Sequence, residues 1–102
     1  MAGQKRVELA RALATEPKLL LLDEVAGGLN PGEALELVDV LRSIHAMGVT
    51  LLIVEHVLEV VMRLAHRVLV LNFGQVIAEG TPEEVVRDKK VIDAYLGSKH
   101  RV

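Results

Sequence analysis

Leu19-Leu20-Leu21-Leu22-Asp23-Glu24 constrains the fold of this chain more than any other stretch. Its four leucines read as a buried strand, and the abrupt change to charge puts two acid groups at the end of that strand. The rest of the apolar mass has the same bias. Hydrophobic residues make up 51% of the chain, yet the aromatics are only Phe73 and Tyr95, so the core must be built from Leu, Val, Ile and Ala. That composition predicts an α/β fold with a buried, mainly parallel sheet and flanking helices.

At 102 residues the chain is expected to be a single domain, 1–102, or a piece of a larger one, with a modest core. No apolar run approaches the roughly 18 residues of a membrane span. Met1 is followed by Gln4-Lys5-Arg6 and then an amphipathic pattern, unlike a signal-peptide core. The expected location is therefore cytoplasmic, with any membrane association through a partner. The absence of cysteine excludes disulfides and thiolate chemistry, and a formal charge of −2 argues against nucleic acid as a partner.

Val7, Ala10 and Ala14, with Leu9 and Leu13, predict a helix from about Gly3 to Thr15, interrupted by Glu16-Pro17 before the strand. Asn30-Pro31-Gly32-Glu33 is a helix-start signal: a capping side chain, proline at the first helical position and a carboxylate at the third. Ala34, Leu37, Val38, Leu41 and Ile44 then line one face until Gly48. Thr50 to Val54 reads as a second strand, and Val57, Val60, Val61 and Leu64 as the stripe of a short helix. Alternating strand and helix predicts parallel crossover units. Val68 to Leu71 and Val76 to Ala78, joined by Asn72-Phe73-Gly74-Gln75, predict a C-terminal β-hairpin. Thr81-Pro82-Glu83-Glu84 is a capping box, so one helical segment should run toward Tyr95 and stop near Gly97, with Ser98 to Val102 fraying.

Asp23 and Glu24 stand where a parallel strand meets its following loop, the edge at which open α/β sheets bind ligands. There one carboxylate can hold Mg²⁺ through its water shell, while its neighbour orients or deprotonates an attacking water, as in a nucleotide hydrolase. Acidic surface residues that merely end a strand are the plain alternative. His56 follows the second strand at the equivalent edge and is expected near Asp23 and Glu24; alone, it reads equally as a solvated or capping residue. His45, His66 and His100 read as surface or packing residues. Gly27-Gly28-Leu29-Asn30 reads locally as a turn feeding a capped helix.

Together, Gly3 to Leu13, Leu19 to Glu24, Gly27 to Asn30, Glu55-His56 and Ala78-Glu79-Gly80-Thr81-Pro82 occur in the order and spacing of an ABC transporter ATP-binding cassette. The chain resembles the C-terminal half of such a cassette. Gly28-Leu29-Asn30-Pro31 and the ending Val91-Ile92-Asp93-Ala94-Tyr95-Leu96-Gly97 resemble the subunits of branched-chain amino-acid importers. The resemblance implies a partial P-loop NTPase fold and an ATP-hydrolysing role in transport. It makes Asp23 the Walker B aspartate at the metal, Glu24 the catalytic glutamate and His56 the switch histidine at the γ-phosphate. Gly27, Gly28, Leu29 and Asn30 become the D-loop that crosses the cassette dimer. ATP and Mg²⁺ are the implied cofactors. The implied partners are a second ATP-binding subunit and transmembrane permease subunits, at the inner face of the membrane.

The family's LSGGQ signature is not intact near Met1-Ala2-Gly3-Gln4, Val25 stands where proline is usual, and His66 where aspartate is frequent. No stretch of the 102 residues reads G-x-x-x-x-G-K followed by Ser or Thr, the loop that cradles phosphates. Two expectations follow: a truncated cassette that binds no nucleotide and is inactive alone, or a self-associating or partner-binding module that keeps the fold without nucleotide chemistry. A homodimer is expected in either case, because the sheet would lack a central strand and expose edges and apolar faces. A receiver-like phosphotransfer domain with Asp23 as acceptor fits poorly, since no second acidic pair follows an earlier strand.

Overall fold

Leu19–Asp23 (β1) pairs in parallel with Thr50–Val54 (β2), in a register that runs from Leu19 opposite Thr50 to Asp23 opposite Val54. This pairing organises the first part of a computed structural model that describes residues 3–96. The chain divides into two compact units between Leu64 and Ala65.

In the first unit, Gly3–Leu13 (α1), Pro31–Ala46 (α2) and Leu58–Leu64 (α3) flank the two strands. The helix start at Asn30 forms as its chemistry requires: the Asn30 side chain accepts from the Glu33 N–H, and the Glu33 carboxylate accepts from the Asn30 N–H. Those two bonds satisfy donors that a helix terminus otherwise leaves open. At the other end Gly48, with φ +96°, takes the left-handed conformation that ends a helix without a Cβ penalty. Leu37, Val38, Leu41 and Ile44 of α2 are buried with Leu20 and Leu22 of β1, Leu9 of α1 and Val60 of α3. Leu37 and Leu41 are fully buried, each stabilising the unit by about 1.5–3 kcal/mol. The Arg42 guanidinium donates to the Arg63 carbonyl at 2.6 Å, tying α2 to the end of α3.

One detail departs from the sequence expectation. In α1 the inward stripe is Leu9, Ala12 and Leu13, while Val7, Ala10 and Ala14 are exposed. Turning the two leucines inward removes more apolar area from water than turning the valine and alanines inward. Among the described residues of this unit, helices cover one face of the sheet, and the apolar exposure expected of it appears on the other. Leu20, Leu22, Leu51 and Ile53 face the core, whereas Leu19, Leu21, Leu52 and Val54 alternate to the opposite face and stand more than half exposed. The three helices of this unit all contribute to the same core cluster.

In the second unit, Val68–Asn72 (β3) and Gln75–Gly80 (β4) form the expected antiparallel hairpin. Phe73 and Gly74 both have positive φ, 49° and 75°, as a two-residue type I′ turn demands. The register shifts after Val70, from Val70 opposite Ala78 to Leu71 opposite Val76, which leaves Ile77 as a bulge. Arg67 bridges the strands to Glu79 at 2.9 Å, and the Tyr95 hydroxyl donates to the Leu71 carbonyl. The capping box at Thr81 and Glu84 starts Pro82–Arg87 (α4). The single helix expected toward Tyr95 is broken at Asp88, whose extended backbone ends α4 and whose side chain accepts from the Lys90 N–H to start Lys89–Val91 (α5). An aspartate offers the backbone a local alternative to continuing the helix, and here it takes that role. A π-helical turn, Ile92–Leu96, follows; the stop expected at Gly97 and the fraying expected beyond it lie outside the described residues.

Candidate functional site

The parallel pairing of β1 and β2 carries the two strand ends to one edge of the sheet. Asp23 is the last residue of β1, exposed, and among the described residues no hydrogen bond or ion pair engages its carboxylate. Immediately after it the backbone reverses. Glu24 has φ +49°, the left-handed region that costs a non-glycine residue about 1–2 kcal/mol, and its N–H donates to the Val54 carbonyl at 2.7 Å. The turn sends the Glu24 carboxylate toward β2, where its Oε1 lies 3.1 Å from His56 Nδ1.

Both side chains of this pair face solvent, 58% and 63% exposed, so their mutual attraction is worth under about 1 kcal/mol and does not fix their geometry. The stronger element is Glu55, whose side chain is completely buried. Its Oε1 accepts from the N–H groups of His56 at 3.0 Å and Val57 at 3.3 Å, and its Oε2 from the N–H of Ala26 at 3.2 Å. Hydrogen bonds to a charged acceptor contribute about 1.5–3 kcal/mol each, so Glu55 outweighs the exposed pair. Sequence reasoning assigned no site role to Glu55; the signal was a carboxylate placed directly after an apolar strand, where burial is costly unless several donors converge.

The remaining candidates sit on the loop between β1 and α2. The Gly27 N–H donates to the Glu24 carbonyl and the Leu29 N–H to the Ala26 carbonyl, so this segment is a pair of tight turns. Gly28, with φ +78°, needs its freedom from a Cβ. Leu29 packs against the core, and the Asn30 side-chain oxygen is taken up in the cap of α2. Thus Asp23, Glu24 and His56 come together at one edge, while Gly27 to Asn30 lead from it to α2. His45 makes a 3.0 Å contact from Nδ1 to the Val49 carbonyl next to its own helix end, and His66 lies in the second unit.

The edge suits a metal only in part. Among the described residues no three His, Cys, Asp or Glu side chains converge on a point, so an all-protein metal cage is not formed. The unengaged Asp23 carboxylate instead fits Mg²⁺ held through one carboxylate, with waters and substrate phosphates as the other ligands. A cleft of about 200 Å³ between α1 and β1 has Asp23 on its rim, but neither Glu24 nor His56 lines it. No helix among the described residues is long and apolar enough to cross a membrane.

Comparison with known proteins places this fold in a class. The family model described as "Branched-chain amino acid ATP-binding cassette transporter" matches residues 75–101. The high-affinity branched-chain amino acid transport ATP-binding protein LivG of Salmonella typhimurium is 45% identical, over 92% of this chain and 37% of its own length. BraF of Pseudomonas aeruginosa, of the same description, is 44% identical with the same coverage. The lipopolysaccharide export ATP-binding protein LptB of Acidithiobacillus ferridurans is 36% identical, over 97% of this chain and 41% of its own. Among solved structures, the ADP conformation of MJ1267, an ATP-binding cassette of an ABC transporter, superposes with a TM-score of 0.85 at 36% identity, covering 96% of this chain and 41% of that one. In sequence and in fold, the chain corresponds to the C-terminal part of an ABC transporter ATP-binding domain. It is similar to the ATP-binding subunits of branched-chain amino acid transport and spans 37% of the length of those relatives.

Proposed function

We infer that the chain carries the hydrolytic edge of an ATP-binding cassette, in a subunit that drives branched-chain amino acid import. The observation that supports this reading best is the Glu24–His56 pair at the carboxyl ends of two parallel strands, one residue beyond the unengaged Asp23. In this reading Glu24 is the base that orients the attacking water and takes its proton, and His56 stands beside the terminal phosphate. Asp23 would hold Mg²⁺, which supplies charge neutralisation at the phosphates when bound. Gly27, Gly28, Leu29 and Asn30 would form the contact to a second cassette, with Gly28 allowing close backbone approach. The partners would be that second subunit and a membrane permease, with the chain on the cytoplasmic side. The importer assignment follows the LivG and BraF matches, both of higher identity than the LptB match.

The test is a chimera in which these 102 residues replace the matched segment of Salmonella LivG. Restored ATPase activity and leucine uptake in a LivG-deficient strain are expected. A folded chimera that binds ATP but turns over none of it would remove the hydrolytic role from this edge.

A second reading, self-association without nucleotide chemistry, has its own support in the uncovered sheet face formed by Leu19, Leu21, Leu52 and Val54. Apolar patches of this kind are uncommon on monomers. Self-association is common to both readings; nucleotide chemistry, which the chimera measures, separates them.

A further inference from the structure

We propose that Glu55 is a positioning residue: it latches the loop after β1 to the loop after β2 and so sets the separation of Glu24 and His56. As a role at a catalytic edge this rests on the proposed hydrolytic function; as a structural latch it does not.

The β1–β2 ladder ends at Asp23 opposite Val54, and the last backbone bond across it is from the Glu24 N–H to the Val54 carbonyl. Past that point the two chains part, one turning back through Glu24 and the other entering the approach to α3. Among the described residues, two links still cross the gap: the Glu24–His56 contact and the bond from the Ala26 N–H to Glu55. The first is exposed on both sides, so water competes for each group. The second is dry, with the Glu55 side chain at 0% exposure and Ala26 at 4%. In low dielectric a satisfied hydrogen bond is strengthened and a broken one is costly.

The two carboxylate oxygens divide the task. Oε1 holds the His56 and Val57 N–H groups, which fixes the backbone that carries the imidazole; Oε2 holds Ala26, two residues from Glu24. Only a group with acceptors at both ends can satisfy the two loops at once. A glutamine of the same shape would turn its NH₂ toward one set of N–H donors and lose that loop.

Glu55 also acts on the ring itself. His56 Nδ1 lies 3.1 Å from a Glu24 oxygen and 3.7 Å from Glu55 Oε1. Ionised carboxylates only accept, so the neutral imidazole carries its proton on Nδ1, an assignment made from the partners rather than from a located hydrogen. That leaves Nε2 as the nitrogen turned away from both carboxylates.

The experiment uses the ¹⁵N,¹³C-labelled chain without nucleotide, at one fixed pH above neutrality. In the native protein, a through-hydrogen-bond coupling from the Ala26 N–H to the Glu55 side-chain carboxyl carbon is expected, with the Nδ1–H tautomer at His56. In Glu55→Gln, the amides of Leu37 and Leu41 should keep their protection, which reports a folded core. Exchange at Ala26, or at His56 and Val57, should accelerate by about ten-fold or more, and the His56 ring nitrogens should move toward a mixture of tautomers. Unchanged exchange and ring signals in a folded Glu55→Gln would overturn the proposal. So would a native chain with no such coupling and an unprotected Ala26 amide, a result that needs no variant to fold. Since no nucleotide is present, an inactive chimera would remove the catalytic context while leaving this outcome to stand or fall separately.

Discussion

Glu24 Oε1 and His56 Nδ1, 32 residues apart in sequence, lie 3.1 Å apart at the edge of a sheet that has one parallel strand pair. Neither element brings them together alone. A left-handed turn at Glu24 and the register of β2 do so jointly, and the consequences for chemistry can be measured.

In the LivG chimera, Glu24→Gln should lower ATP turnover by about 10²–10⁴-fold and leave ATP affinity within a few-fold, because the base is lost while the charge-neutral isostere keeps the turn. His56→Ala should behave in the same direction. Steady-state turnover beside equilibrium nucleotide binding separates the two effects. Normal turnover in Glu24→Gln would take Glu24 out of the base role.

For the 102-residue polypeptide alone, calorimetric titration with millimolar Mg-ATP should be flat. The described edge offers carboxylates and one imidazole, and the sequence holds no phosphate-cradling loop. About four charge-assisted hydrogen bonds of roughly 1.5–3 kcal/mol each are then not made, which is at least about four orders of magnitude in affinity. Micromolar binding would contradict this.

The uncovered face of β1 and β2 should drive self-association. Leu21 is 65% and Leu52 53% exposed, opposite each other in register, so they form the centre of the patch. Sedimentation equilibrium at micromolar concentration should show species above the 11.1 kDa monomer. The double variant Leu21→Lys with Leu52→Glu should shift the population toward monomer without loss of helical signal. A native chain that stays monomeric on concentration would remove the self-association reading.

Helix α4 should loosen only in acid. The Glu84 carboxyl is held below its ordinary value of 4.5, first by the Thr81 backbone N–H and then by the Thr81 side chain. A carboxyl whose folded value is depressed stabilises the folded state above the ordinary value and loses that contribution as pH falls through the lowered one. The Thr81 amide resonance should therefore titrate below pH 4.5, and Glu84→Gln should abolish that titration. A Thr81 titration at or above the ordinary value would show that the capping box does not form.

Much of this molecule was legible from short stretches. The strand ending in Asp23-Glu24, the cap at Asn30, the box at Thr81 and the turn at Phe73-Gly74 all formed where their residues predicted. These signals act within a turn or a few alternating positions, where backbone donors, side-chain caps and apolar period suffice. Asp88 was the local signal that was missed, because a capping residue inside a helical pattern competes with the helix only when its own side chain finds the next N–H.

What the tertiary structure decided was everything that joins distant segments. Parallel register put His56 beside Glu24, while packing buried the Glu55 side chain and turned its two oxygens to different loops. It also chose Leu9 and Leu13 over Val7 as the inner face of α1, and left Leu21 and Leu52 on an uncovered face. No local rule reaches these outcomes. A side chain's burial depends on which surfaces meet across tens of residues, and that is settled by the cooperative packing of strands and helices rather than by any residue's own preference.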